Sequence, residues 1–170
     1  MHIIFNEFIR YISIMAEMSN AEIRRFLMQG TFTGKLATVK KDGGSHVVPI
    51  WFVLDSGNTG GNVRNIVFTT TDTSVKALNI KRNNRVSICV DDQTPQYSFV
   101  TIFGTAKIYP YRQKEVLKWA TKIAERYVGK KNAKAYGRIN SGEGAVIVRI
   151  KPARIIAEKD TSKLDDTQKT

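Results

Sequence analysis

Residues 68–79 read Phe68-Thr69-Thr70-Thr71-Asp72-Thr73-Ser74-Val75-Lys76-Ala77-Leu78-Asn79. An apolar run ends in consecutive hydroxyls and passes at once into a helical pattern. The reading is a strand over residues 65–69 and a helix over residues 73–82. Val75, Leu78 and Ile80 carry the helical spacing, and Asp72 or Thr73 is available as N-cap. The first N–H groups of a helix lack intrahelical partners and attract anions. The hydroxyls of Thr69, Thr70 and Ser74 add donors, and Lys76 adds a full positive charge. A threonine-rich strand end before an ordinary capped helix has the same pattern, so residues 68–79 alone leave both readings open.

Short strands flank this segment. Residues 35–40 and 46–54 read as a hairpin around Asp42-Gly43-Gly44. Pro49 stands inside the second of these strands and cannot donate to a ladder, which predicts an edge or a bulge. Backbone groups freed around Val47, Val48, Pro49, Ile50 and Trp51 are then able to meet a planar heterocycle; a plain edge strand is the simpler alternative. Residues 86–90, 97–109 and 145–150 complete the set, the last resuming over residues 154–157 after Pro152. Both faces of residues 97–109 are substantially apolar. Val100, Ile102 and Ala106 occupy one, and Tyr97, Phe99 and Phe103 the other, so one face suits a core and the other a partner subunit or a cofactor. Gly104 marks a bulge or bend.

Helices frame the strands. Ser19 and Glu22 form a capping box ahead of Ile23, Phe26 and Leu27, with Gly30 as the stop. Pro110 opens a second helix whose stripe is Val116, Trp119, Ala120, Ile123, Ala124 and Tyr127, ended by Gly129. Six strands with two or three helices predict a mainly β fold, a closed or partly closed barrel with flanking helices.

At 170 residues the chain suits one domain, placed at residues 19–158. Residues 1–18 read as an N-terminal extension, an appended helix or a misassigned start, and its apolar stretch is too short and interrupted to span a bilayer. Residues 159–170 read as a polar, disordered tail. The lone Cys89 excludes an internal disulfide and suits a reducing, cytoplasmic compartment. The net charge of +12 attracts polyanions without choosing among nucleic acid, an anionic membrane and an acidic small molecule. His2 and His46 are not spaced as ligands, and no Cys-x-x-Cys or His-Glu-x-x-His occurs, so no metal site is expected. No Gly-x-Ser-x-Gly elbow, Walker loop or Rossmann fingerprint is present. Asp91-Asp92 reads as a solvated turn.

An ordered set of segments carries a resemblance. Gly34-Lys35-Leu36-Ala37-Thr38-Val39 is followed by Asp42-Gly43, His46-Val47-Val48-Pro49-Ile50-Trp51 and residues 68–79. Arg85-Val86, Val90-Asp91-Asp92 and Phe99-Val100-Thr101-Ile102-Phe103-Gly104-Thr105-Ala106 come next. From about residue 20 to 157 the chain resembles the pyridoxamine 5'-phosphate oxidase-like family of flavin-binding split β-barrels, and most of all its coenzyme F420-dependent oxidoreductases. The resemblance implies a six-stranded split β-barrel and a homodimer with cofactor sites at the subunit interface. It implies that Val47, Val48, Pro49, Ile50 and Trp51 lie along the cofactor ring. Thr69, Thr70, Ser74 and Lys76 then hold the phosphate, with Asn79 near. The oxidase branch carries arginine where this chain has Val75, which favours coenzyme F420 over flavin mononucleotide (FMN), the alternative. The implied activity is hydride transfer to an electron-poor double bond of a small molecule, with no catalytic acid or base named. A non-enzymatic cofactor carrier, or a single-strand nucleic-acid binder stacking bases on Tyr97, Phe99 and Phe103, is the contrasting reading.

Overall fold

The computed structural model describes residues 16–55, 63–95, 97–110 and 112–161. Strands β1 (Ala16–Glu17), β2 (Gly34–Val39), β3 (Ser45–Ile50), β4 (Val53–Leu54), β5 (Ile66–Thr71), β6 (Arg85–Asp92), β7 (Ser98–Tyr109) and β8 (Ala145–Lys159) alternate with three helices. These are α1 (Asn20–Leu27), α2 (Val75–Arg82) and α3 (Gln113–Ile139). The expected six strands are all present, joined by the two-residue strands β1 and β4.

All eight strands form one antiparallel sheet in the order β3-β2-β6-β7-β8-β5-β4, with β1 against β8. Its two ends, β3 and β4, are consecutive in sequence with only Trp51 and Phe52 between them. The chain itself therefore carries one sheet edge round to the other, while no ladder joins β3 to β4. That is a split β-barrel. The expected single strand over residues 46–54 breaks at Trp51-Phe52 for this reason. Pro49 sits on the edge strand β3, where its missing donor costs no ladder bond.

Alternation sends one face of each strand inward. Leu36, Phe52, Phe68, Ile88, Ile102 and Ile150, all fully buried, are central to the barrel core. In β7 the inward residues are Val100, Ile102 and Ala106, whereas Phe103 is 41% exposed. The register between β7 and β8 shifts at Phe103/Gly104, where Gly104 faces Pro152. A Cβ at Gly104 would collide with the Lys151 carbonyl, so the bulge needs glycine. It also lets β8 run unbroken past Pro152, where an interruption was expected.

The capping box forms as read. Ser19 Oγ accepts the Glu22 N–H at 3.3 Å, and Glu22 Oε2 accepts the Ser19 N–H at 2.8 Å. Helix α1 ends at Leu27 with Met28 as its cap, two residues before Gly30. Helix α3 packs Val116, Trp119 and Ile123 on Val53, Val67 and Ile147, a second core outside the barrel. Gly129, with the non-helical φ of +78° and ψ of 163°, ends the first helix of α3 as expected, and a second helix follows at once over residues 130–139.

Other differences are local. Asp91 and Asp92 pair with Phe99 and Ser98 at the end of β6 and form no turn. Lys159 belongs to β8, and its amine pairs with Glu22 at 2.6 Å, because β1 extends the sheet beside it. Of the extension at residues 1–18, read as an appended helix, Ala16–Glu17 form strand β1 instead, while residues 1–15, residues 56–62 and the tail beyond residue 161 lie outside the described residues. No helix among the described residues is long and apolar enough to cross a membrane.

Candidate functional site

Strand β5 carries Thr69, Thr70 and Thr71 to the barrel rim while Phe68 turns fully into the core. The rim is held from both sides. The Asp72 N–H donates to the Gly144 carbonyl at 2.8 Å, pinning the turn before β8. Ser74, not Asp72 or Thr73, caps α2: its Oγ accepts the Ala77 N–H at 3.3 Å and lies 3.0 Å from Thr70 Oγ1. With the cap made, the N–H groups of Val75 and Lys76 keep no intrahelical acceptor.

A groove of about 510 Å³ opens beside this rim. Pro49, Ile50 and Trp51 line one side of it, Thr69, Thr70, Thr71 and Lys76 contribute its base, and Tyr136, Ile139 and Asn140 line it from α3. Gly142, Glu143 and Ala145 also border it, as does Ile123. The groove thus joins the two stretches singled out in the sequence, although they lie on different strands.

Lys76 is half-buried, and that burial pushes its amine below the usual lysine range. Among the described residues its amine makes no ion pair or hydrogen bond. The nearest candidate in sequence, Asp72, is engaged instead by Lys81, whose amine lies 3.9 Å from the carboxylate and donates to the Asp72 carbonyl at 3.0 Å. A partly desolvated cation left uncompensated beside hydroxyls and free helix N–H groups favours an incoming anion.

Four of the residues read from sequence stand elsewhere. Val47 is 58% exposed on the edge strand, and Val48 packs against the barrel core. Ser74 acts as the cap behind Thr70. Asn79 is buried away from the groove: its amide donates to Thr38 Oγ1 at 3.0 Å and accepts from Arg82 at 2.8 Å, tying α2 to β2. Asn79 is 4% exposed and does not line the groove. Its apolar-spaced neighbours Ala77 and Ile80 show that this face of α2 is the core face.

Trp51 is set by residues that the sequence reading took only as an apolar stripe or a loop. Its indole stacks on the Tyr127 ring at 4.9 Å with an interplanar angle of 1°, and Tyr136 tilts against it at 6.4 Å. The Tyr127 hydroxyl donates to the Phe32 carbonyl at 2.8 Å and accepts the Phe52 N–H at 3.3 Å. Burial pushes that phenol above the usual tyrosine range. Tyr136, Ile139 and Asn140 escaped notice because Gly129 read as a stop. The small residues Ala133 and Gly137, one helical repeat apart and buried, were the available signal.

Residues 19–158 match the family described as pyridoxamine 5'-phosphate oxidase. Among solved structures, a conserved hypothetical protein from Mycobacterium tuberculosis is 26% identical, with 88% of this chain and 94% of that chain covered and a TM-score of 0.69. An F420 reductase is 25% identical, with 78% and 94% covered and a TM-score of 0.61. A FAD-binding protein from Mesorhizobium loti is 19% identical, with 85% and 97% covered and a TM-score of 0.62, a likeness of fold. No curated protein matches by sequence. Among the described residues no group of three or more His, Cys, Asp or Glu is placed to hold a metal.

Proposed function

We propose, on the premise that the chain belongs to the pyridoxamine 5'-phosphate oxidase family, that it is an oxidoreductase that binds coenzyme F420 in the groove between β3 and α3. One observation carries this reading: Lys76, half-buried and uncompensated among the described residues, lines a groove of about 510 Å³ together with Thr69, Thr70 and the flat side chain of Trp51. The residues fit a phosphate-bearing cofactor. Lys76, the two threonine hydroxyls and the free N–H groups at the start of α2 hold the phosphate. Pro49, Ile50 and Trp51 would flank the cofactor's ring, with Trp51 fixed by its stack on Tyr127. Bound and reduced, the deazaflavin supplies a hydride to an electron-poor double bond, and a solvent proton completes the reduction.

FMN carries a phosphate as well and is the second reading. Val75, 52% exposed beside Lys76, adds no second cation there, which favours the deazaflavin. Likeness to an F420 reductase supports the same choice. Parallel titration of the purified chain with coenzyme F420 and FMN tests it. We expect tighter binding of coenzyme F420, and a loss of about tenfold on Lys76→Ala, equal to about 1.4 kcal/mol. Tighter binding of FMN overturns the choice of cofactor. Unchanged affinity in the variant removes Lys76 from the site.

The chain is further proposed to work as a homodimer. The outer face of β6, β7 and β8 carries Thr101, Phe103 and Ile156 with no helix over it among the described residues, and Tyr97 beside it is 48% exposed. A second copy is favoured as the occupant because Thr101, Phe103 and Ile156 make an apolar centre, with the exposed Arg85, Lys107, Lys151 and Arg154 of the same face as its polar rim. Sedimentation that returns a monomer at micromolar concentration would sink the dimer.

A further inference from the structure

The groove is electrically two-sided. On one side stands the N-terminus of α2 with Lys76. On the other the helical segment 130–139 of α3 ends at the groove, where Asn140 and Glu143 line it together with Tyr136. The last carbonyls of a helix carry about half a negative charge between them. Asn140 N–H and Ser141 N–H are turned back onto the Tyr136 and Arg138 carbonyls at 2.9 and 3.3 Å, so these two donors are not available to the groove. Glu143 adds a whole negative charge to the same side, and no ion pair occupies it among the described residues. The Asp72–Gly144 bond, at 2.8 Å, fixes the turn that bears it. The exposed basic residues Lys130, Lys134 and Arg138 follow one another at every fourth position of the segment. On a helical projection they point away from the face formed by Tyr136, Ile139 and Asn140, so they do not offset Glu143 in the groove.

We infer that Glu143, with Asn140 and the end of α3, is the specificity-determining end of the groove, and that it selects a second ligand bearing a cationic or N–H-donating group on a planar, apolar body. This inference rests on the reading that Lys76 takes the phosphate of the cofactor. With Lys76 so neutralised, Glu143 is left as the charged side chain lining the groove, and an anionic second ligand meets repulsion there. The planar body packs on the apolar surface of Tyr136 and Ile139. The Glu143 carboxylate accepts from its amidine, amine or amide, and the Asn140 side chain offers a further acceptor.

Benzamidine and benzoate, planar probes of equal size and opposite charge, test this by calorimetric titration of the full chain. Each is titrated with and without coenzyme F420 at saturation, in wild type and in Glu143→Gln. Wild type with cofactor is expected to bind benzamidine at least fivefold more tightly than benzoate, and the variant to lose about that fivefold preference. Equal binding of the two probes, binding of neither, or a preference that survives in Glu143→Gln overturns the inference. Failure of the cofactor reading is seen separately, as the absence of a saturable coenzyme F420 titration in wild type. The probe preference of the cofactor-free chain is then the quantity compared between wild type and variant. Glu143 is exposed in a turn, so its substitution leaves the fold intact.

Discussion

The Arg126 guanidinium, on α3, donates to the Leu27 carbonyl at the end of α1 at 2.8 Å. The same group donates to the carbonyls of Phe52 at 3.0 Å and Gly30 at 3.1 Å, and its Cζ lies 4.6 Å from the Phe52 ring centroid. One cation therefore satisfies the open C-terminus of α1 and fastens both α1 and α3 to the Trp51-Phe52 link that closes the barrel. Burial lowers its pKa, but a guanidinium stays charged throughout the working pH range.

Arg126→Ala leaves these carbonyls without their donor. Hydrogen bonds from a charged donor contribute about 1.5–3 kcal/mol, discounted here because the side chain is part-exposed, so a loss of about 2 kcal/mol is expected. Arg126→Lys keeps the charge but not the fork, and should recover less than half of it. Urea denaturation of the three proteins measures both. A variant as stable as wild type would show that the clamp is incidental.

Glu22 makes stability acid-sensitive. The bond from the Lys159 amine, then those from the Ser19 N–H and hydroxyl, hold its carboxyl at about 2 instead of the ordinary 4.5. The unfolded chain therefore takes up this proton first as pH falls. The contribution is fully present above about pH 4.5 and is lost as pH drops through about 2. Melting temperatures of wild type and Glu22→Gln should converge over that range. A constant difference between them down to about pH 2 would contradict the assignment.

Much of this architecture was legible before any coordinates. Local rules sufficed where local chemistry decides: the Ser19–Glu22 box, the Gly43 turn with φ of +84°, and the bulge at Gly104. The groove was legible in half. Pro49, Trp51, Thr69, Thr70 and Lys76 sit at strand and helix ends whose signals are local. The α3 side was not legible, because Gly129 does end the first helix and nothing local announces the second helix that starts directly after it. Asn79 misled for a related reason. A polar residue beside a site on the sequence can be turned by helical phase into the core, where Thr38 and Arg82 claim it.

Gly104→Ala tests the bulge. Its Cβ would meet the Lys151 carbonyl, a backbone atom that no rotamer change can move aside. Overpacking of this kind costs about 1–3 kcal/mol. The β7–β8 ladder should open locally, seen as faster amide exchange at Thr105 and Lys151, which face each other just past the bulge. Wild-type protection at those amides would mean that the bulge is tolerant and glycine there dispensable.

Gly137→Ala addresses the groove itself. Gly137 packs against Thr121 on the first half of α3, with the Thr121 Cα only 2.9 Å from where a Cβ would stand. This close approach holds residues 130–139 folded back beside the groove after the kink at Gly129. An added methyl pushes the segment away and carries Tyr136, Ile139 and Asn140 with it. Residues 130–139 lie outside the barrel core, so global stability should fall by only about 1–2 kcal/mol. Ligand affinity should fall further than stability, because three lining residues move together. A change in the Trp51 environment should accompany it, since Tyr136 packs against that indole at 6.4 Å. Thr121→Ala removes the hydroxyl that crowds the same space and should restore part of the affinity when combined with Gly137→Ala, a coupling that a double-mutant cycle reads directly. If Gly137→Ala binds coenzyme F420 and FMN as wild type does, the α3 segment is not a wall of the site.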